Sequence, residues 1–390
     1  MSRFCFGTTL EKTVYSMIRN QGSLSASDIL QKTSVSRPTI LKILKEFENS
    51  GLLKAEVGIS SGGRKPRYYR INPHMFYAFG VVIDPDYDIE IVIANIAFEI
   101  IERVSLGSIR GKTSSECISA IGDKINELID TYSAEIPKDK YLGIGIGSVG
   151  PIDTRAGMFL DGKRFPISGW ENVAICEKLE QHTGLPTHIN NLARLGLLAH
   201  REIGKARRYL NAAYIYMHKG IGLGIMINGQ LVDTSPDMTG ALSHMTIDYN
   251  NKDLLCERCG RYGCLDVLVS EKNILTEYAG RFGGEKPTTL DDIYTAAEMH
   301  NSVAIDVVKY RADLLGIAIS NFLNLSLVDV IILGGERLQK NPTFFQMVKK
   351  GIEKNSLSHS KEKIRVEQDT MEPWSILIGT VARVFELFVQ

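Results

Sequence analysis

The sequence lacks the features that would assign it to a membrane, secreted or disulfide-bonded class. No stretch approaches the roughly 18 uninterrupted apolar residues of a membrane span. The opening MSRFCFGTTLEK has no apolar run of signal-peptide length. Six cysteines among 390 residues are too few for a disulfide scaffold. We therefore expect a cytoplasmic protein with no membrane partner, in which a cluster of cysteines indicates a metal.

An excess of charge of either sign is also absent, because 45 Lys and Arg residues balance 45 Asp and Glu residues. This average conceals a split. Residues 1–72 contain 12 basic residues and 5 acidic ones, so the remainder has the opposite excess. A basic head on an acidic body is typical of a protein that binds nucleic acid. The length predicts two or three domains.

The first segment has the pattern of a helix-turn-helix. Ser25 and Asp28 form a capping-box-like helix start, and Ser36 is placed to cap a second helix that has Pro38 in its first turn. The apolar residues of the second helix share one face, at Ile40, Leu44 and Phe47. A support helix over 10–20 precedes them. The opposite face of the second helix is basic, and a helix with a basic outer face is suited to the DNA major groove.

A cationic hairpin is predicted after the second helix. Strand-like segments at 52–57 and 67–71 flank the tip sequence GGRKPR, which can lie along phosphates or in a minor groove. The alternative interpretation is a small helical domain with a solvated basic face. The predicted DNA contacts are Ser36, Arg37, Thr39, Lys42, Arg64, Lys65 and Arg67.

Beyond a hinge at Asn72-Pro73, strand patterns alternate with helices, which predicts an α/β body of two similar lobes. The strands are expected at 78–83, 89–96, 141–147, 187–190, 212–217, 222–227 and 328–333, and the helices at 114–131, 171–183, 192–202 and 374–389. Glycine-rich turns at 220–224 and 334–335 are compatible either with nucleotide contacts or with close packing.

Three cysteines lie close together on a glycine-bearing turn, at Cys256, Cys259 and Cys264, and His244 lies twelve residues before the first. A Cys3His set is a closed tetrahedral zinc site, and closed sites are structural. The sequence therefore predicts a structural Zn²⁺. The alternative is a group of small buried thiols without a metal.

Four segments resemble the ROK family of repressors, open reading frames and kinases: GISSGGRKP, GIGSVGPID at 145–153, CGRYGCLD at 259–266 and ILGG at 332–335. The resemblance implies an α/β chain with an N-terminal winged helix-turn-helix and a two-lobed actin/hexokinase-like (ribonuclease H-like) body. The expected domains are a head at 1–72 and a body at 73–390. Lobe one spans about 73–190 plus 374–390, and lobe two about 191–373.

Departures from the family pattern fall at the positions where its kinases act. The phosphate loop DxGxT is replaced by DPDYD at Asp84–Asp88, whose carboxylates would repel ATP phosphates. Asn191 stands where the family has its catalytic Asp, and an amide cannot act as a general base. The sugar-binding GExGH is replaced by GALSH at 240–244, and Cys256 lies one residue upstream of the family spacing.

These features predict a transcriptional regulator without enzymatic activity, and the family resemblance favours a repressor of carbohydrate-related genes. It would bind double-stranded operator DNA as a homodimer or a dimer of dimers. The effector would be a carbohydrate, a sugar phosphate or a protein partner. Its predicted ligands are Asn190, Asn191, His244 and Asp266. The alternative is an active ATP-dependent sugar kinase with an added DNA-binding head.

Overall fold

The computed structural model describes residues 5–58, 65–84, 86, 88–160, 169–233, 240–282, 289–326, 328–357 and 364–389. The chain forms two compact units, each assembled from separate stretches. The first comprises Met1–Gly147, Ala174–Ile189 and Thr380–Gln390, and the second comprises Ser148–Val173 and Asn190–Gly379. The division into a head and two lobes at the predicted boundaries stays a prediction.

The N-terminal elements form three helices and a small sheet. They are α1 (Thr9–Gln21), β1 (Leu24–Ser25), α2 (Ala26–Gln31), α3 (Arg37–Asn49), β2 (Leu53–Val57) and β3 (Arg67–Ile71). The strands pair antiparallel in the order β1-β3-β2. This confirms the predicted winged helix-turn-helix, while the tip at 59–64, with Arg64, lies outside the described residues.

The ends of α2 and α3 follow from local hydrogen bonds. The Asp28 backbone N–H donates to Ser25 Oγ at 3.2 Å and the Ser25 N–H donates to the Asp28 carboxylate at 2.8 Å, which completes the capping box. Ser36 precedes α3, but its side chain does not cap it, because its hydroxyl pairs with that of Thr39 at 2.8 Å. The expected Ser36 side-chain cap is therefore wrong. Gly51, with φ of 82°, ends α3 in the left-handed region.

The inner side of α3 is fixed by apolar packing. Its buried side chains are Ile40, Ile43, Leu44 and Phe47. The Phe6 ring lies 5.9 Å from Phe47 and 5.1 Å from Tyr15 of α1, measured between ring centroids. Each buried side chain of this size contributes about 1.5–3 kcal/mol. The packing therefore determines which side of α3 faces outward.

The body elements are given in chain order. The strands are β4 (Tyr77–Ile83), β5 (Asp88–Asn95), β6 (Ile100–Ser108), β7 (Tyr141–Ser148), β8 (Ile152–Asp153), β9 (Met158–Phe159), β10 (Thr187–Asn191), β11 (Ala212–Met217), β12 (Ile221–Ile227), β13 (Gln230–Leu231), β14 (Val330–Gly334) and β15 (Arg365–Gln368). The helices are α4 (Ser114–Thr131), α5 (Ile175–Thr183), α6 (Leu192–Glu202), α7 (Leu265–Leu268), α8 (Glu271–Phe282), α9 (Leu290–Glu298), α10 (Ser302–Leu325), α11 (Glu336–Lys340), α12 (Pro342–Asn355) and α13 (Trp374–Val389).

Two five-stranded sheets of the body have the same strand order. One runs β10-β7-β4-β5-β6, and the other, written from its opposite edge, runs β15-β14-β11-β12-β13. Numbered along the chain within each sheet, both have the order 5-4-1-2-3. In the first sheet, β4 pairs antiparallel with β5 and parallel with β7. In the second sheet, β11 pairs antiparallel with β12 and parallel with β14. The predicted α/β body with two similar lobes is confirmed in this topology, although the two halves show no sequence repeat.

The glycines of strand β7 are explained by close packing. A Cβ built on Gly145 would lie 2.0 Å from the carbonyl oxygen of Thr380, and one on Gly143 would lie 2.5 Å from that of Pro186. Neither backbone can move away cheaply. These positions therefore require glycine because neighbouring chain segments lie against the strand.

Two features of the body differ from the sequence predictions. Helix α5 begins at Ile175 instead of residue 171, because Asn172 has a φ of 55° that is incompatible with a right-handed helix. Helices α8 to α10 and α12 were not predicted. Their apolar residues form a core of the second unit with members that include Ile293, Val307, Leu315, Ile319, Phe344 and Val348.

Candidate functional site

The outer face of α3 presents the predicted DNA-contacting side chains to solvent. Ser36, Arg37, Thr39 and Lys42 are all exposed, and so is Lys45, which was not among the predicted contacts. Lys42 lies 3.9 Å from Glu46 in an exposed pair, which contributes little to stability. Among the described residues, Arg37 and Lys45 form no ion pair. Their charges are therefore available to an anionic partner.

The wing is the hairpin that contains β2 and β3. Its Arg67 is less available to a partner than the basic side chains of α3. Arg67 donates to Glu48 of α3 at 2.5 Å, and its guanidinium lies 5.7 Å from the centre of the Tyr69 ring. Lys65 is exposed. An exposed carboxylate partner partly neutralises Arg67, so a phosphate would have to compete with Glu48 for it. The structure does not describe Arg64, so its DNA contact stays a prediction.

The four predicted metal ligands lie together. The His244 ring nitrogen and the sulfurs of Cys256, Cys259 and Cys264 are all within 4.8 Å of one another. Cys256 Sγ lies 3.6 Å from His244 Nδ1, and Cys259 Sγ lies 3.4 Å from Cys264 Sγ. A tetrahedral zinc with Zn–S bonds of about 2.3 Å separates its ligand atoms by roughly 3.8 Å. The Cys3His set therefore fits a metal ion, and the upstream position of Cys256 does not exclude it.

The backbone of this turn, called the knuckle (residues 244–264), is fixed by glycine and by local pairing. Gly263 has a φ of 67°, and a Cβ there would lie 1.9 Å from the Asp248 carbonyl oxygen. Leu255 and Tyr262 form an antiparallel bridge. The Arg261 guanidinium donates to the His244 carbonyl at 3.0 Å. These contacts hold the backbone that carries the four ligand side chains, and none of them involves a metal.

The thiols of the knuckle have distinct proton affinities. Burial raises the pKa of Cys256 and raises that of Cys264 to about 12. Burial also opposes ionisation of Cys259, but hydrogen bonds from the Arg261 backbone and side chain outweigh it and lower this pKa to about 7. A thiolate beside a guanidinium is a good metal ligand.

Two of the predicted effector residues, Asn191 and Asp266, lie near the start of β12. Asn191 Oδ1 accepts from the Ala193 N–H at 2.9 Å and so caps α6. A Cβ on Gly222 would lie 3.6 Å from that oxygen, and one on Gly220 would lie 3.9 Å from Asp266 Oδ1. His244 is grouped with the cysteines.

A buried ion pair beside Asn190 was missed by the sequence analysis. Arg194 is only 1% exposed and donates to Asp233 at 3.1 Å. Asn190 Nδ2 and Thr154 Oγ1 donate to the same carboxylate, each at 3.3 Å. The available signal was an arginine placed among the apolar residues of the first turns of α6, LARLGLLA. Much of the polar capacity around the start of α6 is therefore used by the chain itself.

A second buried polar cluster includes Asp369, Tyr214 and His200. The Asp369 carboxylate lies 3.0 Å from His200 Nε2 and accepts from the Tyr214 hydroxyl at 2.8 Å. The Tyr214 hydroxyl also lies 3.3 Å from Glu372. Burial raises the pKa of Glu372 to about 7, and the charge of Asp369 adds to this effect.

The glycine-rich turns are packing positions. A Cβ on Gly224 would lie 2.5 Å from the Ala193 carbonyl oxygen, so β12 lies directly against α6. A Cβ on Gly334 would lie 2.2 Å from the Tyr214 hydroxyl, and one on Gly335 would lie 2.3 Å from the Met217 carbonyl oxygen. Of the two interpretations of these turns, close packing accounts for Gly224, Gly334 and Gly335.

The acidic turn between β4 and β5 bonds to itself. Asp84 Oδ1 accepts from the backbone N–H of Asp86 at 2.7 Å and from that of Asp88 at 3.0 Å. Burial raises the pKa of Asp84, partly offset by these two hydrogen bonds. Two amides that would face an anion in a phosphate loop are thus occupied by a carboxylate.

The sequence model of the ROK family matches residues 86–384 of this chain. The xylose repressor of Caldicellulosiruptor bescii is 24% identical over 373 residues, which cover 93% of this chain and 91% of the repressor. No helix in the described ranges is both long and apolar enough to cross a membrane.

Two solved structures have the same fold. One is a ROK family transcriptional regulator described as a homolog of the Escherichia coli MLC protein, with a TM-score of 0.80, 21% identity and coverage of 97% of this chain and 96% of that one. The other is a ROK hexokinase from Thermus thermophilus, with a TM-score of 0.68, 19% identity and coverage of 80% of this chain and 99% of that one. The predicted fold class is confirmed.

Proposed function

The chain belongs to the ROK family, and on that premise we propose that it is a DNA-binding transcriptional repressor of carbohydrate-related genes with a catalytically inactive body. The observation that carries the proposal is the outer face of α3, where Arg37 and Lys45 are exposed without an acidic partner in the described ranges. A relative that matches nearly the whole chain bears the name of a repressor, which supports the same function.

The proposed DNA interface consists of the N-terminal part of α3 and the wing. Ser36, Arg37, Thr39 and Lys42 would meet the major groove, because residues at the start of a recognition helix contact base edges. Arg64, Lys65 and Arg67 would hold the backbone or the minor groove. Two heads on a two-fold operator require a homodimer or a dimer of dimers. The head would span 1–72, and the lobes would have the boundaries given above.

The absence of kinase activity is proposed from two sites. The Asp84 carboxylate occupies two amides of its turn, so they cannot receive a phosphate. Asn191 uses its side-chain oxygen to cap α6 and has no basic lone pair for a sugar hydroxyl proton. A general base alone contributes about 10²–10⁴-fold in rate, so its loss is severe.

The proposed cofactor is a structural zinc. His244, Cys256, Cys259 and Cys264 would hold it, and a closed set of four protein ligands would leave no position for a substrate. The ion would cross-link the two ends of the knuckle. Arg261 would favour the thiolate form of Cys259 through its hydrogen bonds.

The proposed effector is a carbohydrate or a sugar phosphate, with a protein partner as the alternative. Asn190, Asn191 and Asp266 are the candidate contacts, and the position of Asn191 and Asp266 near the start of β12 supports this. His244 would act mainly through the metal, since its ring nitrogen lies among the thiols. Effector binding would change DNA affinity through coupling between two sites.

Footprinting of the full-length, zinc-loaded protein on DNA upstream of its own gene tests the proposal, with and without a panel of hexoses and pentoses. A salt-sensitive footprint is expected, because phosphate contacts release counterions. ATP consumption with the same sugars tests the kinase alternative. Sugar-dependent turnover without a footprint would overturn the repressor proposal.

A further inference from the structure

Leu41 is an exposed large apolar side chain on α3, beside exposed polar and charged residues. Leu41 is 43% exposed, whereas the other large apolar side chains of the helix are buried. A single exposed leucine is common on protein surfaces. Exposure alone therefore does not indicate a binding role for Leu41, which depends on the residues around it.

The neighbours of Leu41 place it in a row of cations. Arg37 precedes it by four residues and Lys45 follows it by four, so all three lie along one side of the helix. Both cations are exposed and form no ion pair with any described residue. An anionic surface that binds Arg37 and Lys45 would therefore also cover Leu41.

Duplex DNA offers one apolar group on the edges of its bases in the major groove, the C5 methyl of thymine. A short branched side chain between two cations can contact that methyl while the cations bind phosphates or guanine. Lysine or arginine at this position would form hydrogen bonds instead. The chemistry of Leu41 thus favours a T·A pair over the other pairs at one operator position.

We propose that Leu41 is a specificity-determining residue that reads a thymine methyl group in the operator. The inference rests on the proposed DNA-binding function and deepens it. It assigns sequence readout to an apolar contact, whereas Arg64, Lys65 and Arg67 would contribute mostly affinity. The partner that contacts Leu41 is the major groove of duplex DNA.

The test removes the methyl group from the DNA and the side chain from the protein. The wild-type full-length chain first selects its preferred duplex from a random pool at low salt. Each thymine of that duplex is then replaced singly by deoxyuridine, and Kd is measured by fluorescence anisotropy for wild type and Leu41→Ala. At one or two positions deoxyuridine should weaken wild-type binding by about four-fold, the effect of one buried methyl. Leu41→Ala should bind the two duplexes equally.

Three controls separate this role from a structural one. Alanine has the highest helix propensity, so Leu41→Ala should keep the wild-type Tm. Leu41→Met should retain part of the deoxyuridine effect. Lys65→Ala, at a wing position proposed to hold the DNA backbone, should weaken all duplexes alike and leave the deoxyuridine effect intact.

The outcomes distinguish the inference from its premise. A deoxyuridine effect of the same size in wild type and Leu41→Ala would overturn the role of Leu41 while leaving DNA binding in place. A uniform loss of affinity in Leu41→Ala, with the methyl preference preserved, would overturn it as well. Failure of the wild-type chain to select any duplex would instead remove the proposed function itself.

Discussion

The polar side chains on the outer face of α3 and those around the start of α6 are used in opposite ways. On α3, Arg37 and Lys45 are exposed and have no acidic partner within the described ranges. At α6, Asn191 caps the helix and Arg194 is buried against Asp233. An unused donor can bind a partner, whereas a donor bonded within the chain stabilises the fold. Substitutions in the two regions should therefore affect different quantities, DNA affinity in the first and stability in the second.

The largest effect is expected at the knuckle, whose four ligand atoms lie within 4.8 Å of one another. Cys259→Ser should lower the zinc content from about one ion per chain to nearly none. A structural zinc contributes several kcal/mol to folding, so Tm should fall by roughly 10 °C. Metal analysis and thermal unfolding measure both effects. The exposed Cys5→Ser is the matched control, and an unchanged Tm in Cys259→Ser would refute a structural metal.

The next largest effect is expected at the buried ion pair beside Asn190. Arg194→Met removes one partner and leaves the Asp233 carboxylate with weaker donors. Breaking such a pair costs about 3 kcal/mol, which thermal or urea unfolding detects. Exposed Arg208→Met should change stability little. If Arg194→Met left stability intact but abolished the response of DNA binding to sugars, this region would belong to a binding site instead.

A pH dependence of similar size is expected from the Asp369 cluster. Burial raises the pKa of Glu372 to about 7, so the folded state holds a proton that the unfolded chain releases near pH 4.5. Its stabilising contribution is therefore full below about pH 4.5 and is lost as pH rises through about 7. Glu372→Gln should remove this dependence and raise the free energy of unfolding at pH 8 by about 2–3 kcal/mol. Glu367→Gln, at a more exposed position, should leave the pH dependence of stability unchanged. Equal pH profiles for the two variants would contradict the assignment of this dependence to Glu372.

Local signals accounted for what the sequence predicted correctly, and long-range contacts accounted for what it missed. The Ser25–Asp28 capping box and the Cys259–Cys264 turn depend on residues a few positions apart. Arg194 and Asp233 are 39 positions apart, and no local pattern joins them. Helix α10 is buried on most sides between residues 311 and 320, so the apolar residues of that part show little helical periodicity.

A smaller effect is expected on the outer face of α3. Arg37→Ala should weaken binding to the selected duplex by roughly ten-fold, because a cation at the start of a recognition helix contributes a phosphate or base contact. Its Tm should stay within about 1 °C of the wild type, since the side chain is exposed. Anisotropy titration measures the affinity, with Lys309→Ala on α10 as a body-surface control. Equal affinity of Arg37→Ala and wild type would contradict the proposed interface.

The smallest effect is expected at the position where the family has its catalytic carboxylate. Asn191→Asp retains the oxygen that accepts from the Ala193 N–H, and aspartate is an equally good N-cap. Tm should therefore change little, whereas Asn191→Ala should lose about 1 kcal/mol, or roughly 2–4 °C.

Asn191→Asp should also consume no ATP with any hexose, because the amides of Asp86 and Asp88 remain bonded to Asp84. A coupled ATPase assay measures this directly. Turnover in Asn191→Asp would mean that the acidic turn is no barrier to a nucleotide, and that the body still has the remaining groups that a kinase requires.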